Sequence, residues 1–155
     1  MIPPAIVHLL QTGVSVNVGT RDKNFMPECT RGWGIWVAAN RSTVTLLLTE
    51  PASARTLANL RDNGLMAITC SRPTDHVTCQ LKGSVTQIRQ ATPQDYERQQ
   101  QWRHAFLGEL ISVGTKRGTQ TGQDQEETGK TGSRQDSRRE REGQTIGESM
   151  YICGN

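Results

Sequence analysis

The sequence predicts a mostly β chain with flanking helices, its strands closed into a small barrel. Three observations predict it: short runs that alternate apolar and polar residues, two stretches of helical periodicity placed between and after them, and turn formers at the junctions. At 155 residues the chain fits one domain with a core of its own.

The elements follow in order. "PPAIVHLLQTG" has proline in the first turn, Ile6, Leu9 and Leu10 to one side and Gly13 as a stop, which describes a short helix. In "VSVNVGT" Val14, Val16 and Val18 alternate with Ser15 and Asn17, the pattern of a half-buried strand. After the loop "RDKNFMPE", "CTRGWGIWVAA" reads as a second strand with Trp33, Ile35 and Val37 on one face. The turn "NRS" leads into "TVTLLLT", a third strand rich in β-branched residues, and the three are expected to form a meander.

In "TEPASARTLANLRDNG" Ala54, Leu57, Ala58 and Leu60 recur at helical spacing and Gly64 closes the helix. "LMAITCS" is then a buried strand. Past the turn "RPTD", "HVTCQLKGSVTQI" sets Val77, Cys79, Leu81 and Val85 against His76, Thr78, Gln80, Lys82 and Ser84, a strand with one apolar face and one polar face. "ATPQD" opens a long helix, with Thr92 as N-cap, Pro93 in first position, Asp95 completing a capping box, and Trp102, Phe106, Leu110 and Val113 along its stripe.

From Thr115 onward no apolar residue occurs until Ile146, and such a run cannot bury enough surface to offset the entropy of ordering it. The chain is therefore divided into a barrel domain, 1–114, and a low-complexity tail, 115–155, expected to be disordered. The tail's seven Lys/Arg balance its seven Asp/Glu, so the net +3 belongs to residues 1–114. That mildly basic balance suits an anionic small ligand and is too weak to argue nucleic acid by itself.

Cys29, Cys70, Cys79 and Cys153 show no CxxC and no matched histidine spacing, so no metal site or disulfide framework is signalled, and buried free thiols in a reducing cytoplasm are expected. "MIPPAIVHLLQTG" lacks a basic leader and its apolar run is short and interrupted, so neither a signal peptide nor a membrane span is expected. Asp22, Glu28 and Asp75 are placed in turns, as backbone caps.

Two closed architectures share this element order: an oligonucleotide-binding (OB-type) barrel and a split barrel. An OB-type barrel stacks bases on aromatics of its second and third strands. Trp33 and Trp36 differ by three and point to opposite faces of a regular strand, and the third strand has no aromatic, which argues against nucleic acid. Arg55 and Ser53 stand at the start of a helix, where free N–H groups and the dipole favour an anion and a guanidinium adds a bidentate donor. Arg31, Thr49, Thr78, Gln80 and Lys82 are further donors that either barrel brings near.

The block "VTLLLTEPASARTLANLRDNGLMAITCSRPTDHVTCQLKGSV" resembles the pyridoxamine 5'-phosphate oxidase-like family of FMN-binding split barrels, with Thr49, Ser53, Arg55, Asn63, Gly64 and Gly83 at matching places. "MPECTRGWGIWV" resembles the family's second strand, where Arg31 is the basic candidate. Two departures are Thr56, where a lysine is expected, and Leu48, where an aromatic is common. The polar tail is expected to stand in place of a further barrel strand.

The resemblance implies an FMN-binding split barrel, cytoplasmic and homodimeric, with flavin sites at the subunit interface. In it Arg55, Ser53 and the helix N-terminus hold the phosphate, Arg31 and Lys82 add charge, and Thr49, Thr78 and Gln80 bond the ribityl chain or ring edge. The cofactor would be FMN, another flavin or a deazaflavin. The activity would be that of a flavin-dependent oxidoreductase on a small molecule, with a non-catalytic flavin-binding protein as the alternative; the sequence marks no catalytic residue.

Overall fold

The computed structural model describes residues 1–114 and the backbone of residues 149–154. Helix α1 (Pro4–Leu10) leads into strand β1 (Ser15–Arg21), β2 (Pro27–Gly32), β3 (Ile35–Val37) and β4 (Val44–Thr49). Helix α2 (Ala54–Asn63), strands β5 (Leu65–Ser71) and β6 (Thr78–Gln90), helix α3 (Pro93–Ser112) and strand β7 (Ser149–Gly154) follow. One antiparallel sheet holds all seven strands in the order β2-β1-β5-β6-β7-β4-β3. It closes on itself where Trp33 N–H donates to Leu47 O (2.8 Å) and Leu47 N–H to Gly34 O (2.9 Å).

The expected second strand is two strands. Trp33 and Gly34 break it, because both turn their backbone toward β4 to close the barrel. Trp33 consequently lies 42% exposed while Ile35 is buried, so they do not share a face. The meander is likewise divided: β1 pairs with β2 and β5, and β4 pairs with β3 and β7.

Strand β7 comes from beyond the boundary drawn at residue 114. This strand is inserted between β4 and β6, with Leu46 opposite Ile152 on one side and Ile88 opposite it on the other. The physical reason is that β4 and β6 each present an unfilled ladder edge, and "SMYICG" is the apolar-bearing stretch of that region able to fill both. The disorder expected for residues 115–148 falls outside the described residues.

Alternation decides the core. Val14, Val16, Val18, Leu46, Leu48 and Cys70 are fully buried, joined by Leu57 and Leu60 of α2 and Trp102 of α3. Gly64 caps α2 in the left-handed region at φ 71°, as the "DNG" signal requires. Thr92 and Asp95 form the expected capping box of α3. Trp102 Nε1–H donates to Val14 O at 3.2 Å, tying this helix to the chain just before β1. Next to it Gly13, at φ 79°, lies so close that a Cβ would stand 2.3 Å from the Ala105 carbonyl carbon.

Candidate functional site

The predicted site residues fall into two groups on opposite faces of β2. On the inner face is the start of α2. Ser53 is its N-cap residue but makes no side-chain cap bond; its buried hydroxyl lies 3.1 Å from Thr30 Oγ1 on β2, and its N–H donates to Thr49 O at 3.0 Å. That loop therefore staples the end of β4 and the inner face of β2 to the helix. Thr56, at the place of the expected lysine, is fully buried, so Arg55 is the cation this first turn presents.

Arg55 points outward, its side chain 75% exposed, with Nη1 3.4 Å from Glu28 Oε2. Glu28 is thus a strand residue paired with a cation, not the turn cap expected of it. Asp22 and Asp75 do cap: Asp22 Oδ1 accepts from Asn24 and Met26 N–H, and Asp75 Oδ1 accepts from Val77 N–H. The Arg72 hydrogen bond holds the Asp75 carboxyl down at about 2.

The second group lies on the solvent face of β2, β1, β5 and β6. Register sets Arg31 beside Asn17, Asn17 beside Thr69, and Thr69 beside Gln80, one polar row across four strands about 14 Å wide. Gln80 Nε2–H donates to Thr69 Oγ1 at 3.2 Å. In the next row toward the β5–β6 turn, Ser71 and Thr78 hydroxyls are 2.7 Å apart. In the row on the other side Gly19 and Ala67 leave a low floor next to Lys82. The Arg31 guanidinium stands 5.9 Å from the Trp33 ring and 5.5 Å from the Phe106 ring, which fixes it against α3.

Strand alternation brings Arg31, Thr78, Gln80 and Lys82 onto this one face; Ser53 and Arg55 belong to the start of α2, to which Thr49, at the end of β4, is joined through its backbone carbonyl. Asn17, Thr69 and the floor of Gly19 and Ala67 were missed by sequence reasoning. The signal was present: Asn17 and Gly19 follow Ser15 at the alternate, non-apolar positions of "VSVNVGT", and Ala67 and Thr69 alternate with Met66, Ile68 and Cys70 in "LMAITCS".

A cavity of about 500 Å³ opens at one barrel end between Met1, Pro3, Val44, Met66, Leu81 and Lys82. A shallower one of about 430 Å³ lies on the low floor, lined by Gly19, Arg21, Leu65, Ala67 and Lys82. Lys82 is the predicted residue that lines both. The donor set on the solvent face, cations with hydroxyl and amide groups, fits a planar polar ligand that carries an anion.

No family model matches the chain, and no curated protein does. Solved structures do. The match to a candidate pyridoxamine 5'-phosphate oxidase of Lactobacillus delbrueckii has a TM-score of 0.54 at 8% identity, over 99% of this chain and 88% of that one. An F420 reductase gives 0.54 at 12% identity, over 99% of this chain and 94% of the other. The chain has the split-barrel fold. HupZ of Group A Streptococcus shares that split barrel at 0.52 and 14% identity, over 100% of this chain and 90% of its own. The OB-type alternative is thereby set aside as the architecture.

Among the described residues of this split barrel no group of three His, Cys, Asp or Glu is placed to hold a metal ion, and no helix is long and apolar enough to cross a membrane. Cys70 and Cys79 face each other across β5 and β6, both free. Burial, then the neighbouring Cys79 thiol, pushes the Cys70 thiol up to about 12, so it packs as a small hydrophobe.

Proposed function

We propose that the chain is a cytoplasmic homodimeric flavin protein. In this reading it binds FMN or a deazaflavin across the edge strand β2, between the start of α2 and the solvent face of β2-β1-β5-β6, and serves as an oxidoreductase for a small molecule. The observation that carries this is the polar row from Arg31 to Gln80, bordered by Lys82 and lying on a fold shared with a candidate pyridoxamine 5'-phosphate oxidase and an F420 reductase. F420 is a deazaflavin, so the second likeness supports either cofactor.

In the proposed site Arg55 and the N-terminus of α2 take the phosphate, with Arg31 and Lys82 adding charge. Gln80, Thr78 and Thr49 serve the polar chain or ring edge. The buried Ser53 acts by anchoring the helix's first turn on Thr30. A bound flavin would supply the hydride chemistry, and the protein's share is orientation and electrostatics.

The test is an absorbance spectrum of the purified protein and of the apoprotein titrated with FMN. Bands near roughly 370 and 450 nm that stay with the protein support the reading, and bleaching by NAD(P)H supports the oxidoreductase over a passive flavin binder. A protein that neither carries nor takes up flavin refutes it.

A further inference from the structure

The cavity of about 500 Å³ at the barrel end has no part in the flavin site, and its size falls within the roughly 300–1,000 Å³ of small-molecule sites. Inward-facing positions of three strands line it. Val44 opens β4, Met66 and Ile68 alternate along β5, and half-buried Leu81 packs against the same core from β6. The start of the chain forms a further wall: Ile2 N–H donates to Arg41 O at 2.6 Å, which holds Ile2 and Pro3 beside exposed Ser42.

Against this apolar lining stands one cation. Lys82 and Met66 line both this cavity and the shallower one outside, so the ammonium stands where the apolar space meets the solvent face. Register sets Lys82 opposite Ala67 and Ala67 opposite Gly19, and its same-face neighbours along β6 are Gln80 and Ser84, so no acid of these strands faces it. It takes part in none of the ion pairs among the described residues.

This arrangement selects a ligand. A molecule rich in polar groups would leave them unmatched against Val44, Ile68 and Leu81, and a wholly apolar one would gain nothing from the ammonium. An apolar body with a single anionic group uses both features: its burial releases water from an apolar wall, and its anion meets an unpaired cation through charge-assisted hydrogen bonds. The Met66 thioether adds a favourable contact for an aromatic body.

We propose that the barrel-end cavity binds a small apolar monocarboxylate, its body against Met66, Ile68 and Leu81 and its carboxylate on Lys82. This is a second site, apart from the phosphate site at the start of α2, and it holds whether or not the chain carries flavin.

Isothermal titration calorimetry of the full-length protein with phenylbutyrate, phenylbutanol and acetate tests it. Phenylbutyrate should bind at one site per chain, and phenylbutanol about fivefold or more weakly, the loss of one charge-assisted contact. Acetate, which has no apolar body, should give no measurable binding. Lys82→Gln should bring phenylbutyrate down to the level of phenylbutanol. Ser42→Trp, at an exposed position where a bulky ring would occupy the cavity, should weaken both ligands. No phenylbutyrate binding, equal affinity for the alcohol or for acetate, or either variant binding phenylbutyrate as wild type does overturns the proposal. So does loss of phenylbutyrate binding at saturating FMN, which would put the carboxylate in the flavin site. A chain that binds phenylbutyrate in this pattern and takes up no flavin refutes the flavin reading and leaves this proposal standing.

Discussion

Removing the Glu28 charge should tighten FMN binding. Its carboxylate lies 3.4 Å from the guanidinium proposed to take the phosphate, and the pair is exposed, at 75% and 23%. Freeing Arg55 therefore costs little, about 0–1 kcal/mol, as for surface pairs in general. The carboxylate also repels an incoming phosphate, by about 1 kcal/mol for unit charges near contact in water. In Glu28→Gln both penalties go, for a combined gain of about 1 kcal/mol, or roughly fivefold in the dissociation constant. Arg55→Ala should lose about 1.4 kcal/mol, tenfold, and adding Glu28→Gln to it should recover less than the same change does with Arg55 present. Quenching of flavin fluorescence on titration reads all three, and riboflavin is the control that Glu28→Gln should leave unchanged. Unaltered or weaker FMN binding by a folded Glu28→Gln protein, or unaltered binding by Arg55→Ala, would remove the helix start from the phosphate site.

Other outcomes follow from the fold. Gly13→Ala should lower stability by about 3 kcal/mol, since the new methyl meets the Ala105 backbone at 2.3 Å in a left-handed conformation; a loss under about 1 kcal/mol in chemical denaturation counts against that contact. Iodoacetamide at neutral pH should modify exposed Cys29 and spare Cys70 until the protein unfolds, as peptide mass spectrometry would show. For Asp95, burial raises the carboxyl's pKa, but hydrogen bonds from Arg89 and Thr92 outweigh it and leave the pKa below the ordinary range. Its contribution is thus complete above the unfolded value near about 4 and fades as pH falls through the lower folded one. Asp95→Asn should accordingly destabilise at pH 7 and flatten the loss of melting temperature on acidification. Thr45→Cys should form an internal disulfide with Cys153, which register sets directly opposite, visible as a mobility shift abolished by Cys153→Ser; with no such bond, β7 is not where the sheet order has it.

Local signals carried most of the fold. Val14, Val16 and Val18 alternate and are all fully buried, and the Thr92–Asp95 box and the Gly64 stop mark the helix ends they were expected to mark. What alternation could not show is where a strand must bend to meet a distant one: Trp33 and Gly34 look like continuous strand until β4 is placed against them. β7 was hidden for a related reason. Its pairing is entirely long-range, and its short apolar stretch lies beyond a polar run whose composition dominates any local reading. In the site, residue types were legible one strand at a time, as with Gln80 and Lys82. The row that joins Arg31, Asn17, Thr69 and Gln80 is a property of three registers, and no single stretch of sequence encodes it.

Packing bears on which face of the barrel the proposed flavin would occupy. The inner face around Val16, Val18, Leu46 and Leu48 is filled to zero exposure, and the cavity at the barrel end has Ser42 and Lys82 as its polar side chains, too few for a ring and chain rich in hydrogen-bonding groups. The solvent face has those partners, yet a sheet surface is flat and leaves one side of a planar ligand in water, whereas cofactor sites bury most of their ligand. α3 supplies one wall at Arg31 through Phe106 and Trp33. Nothing in the described residues covers the Lys82 end, and in the proposed homodimer a copy of the same chain would bring that cover.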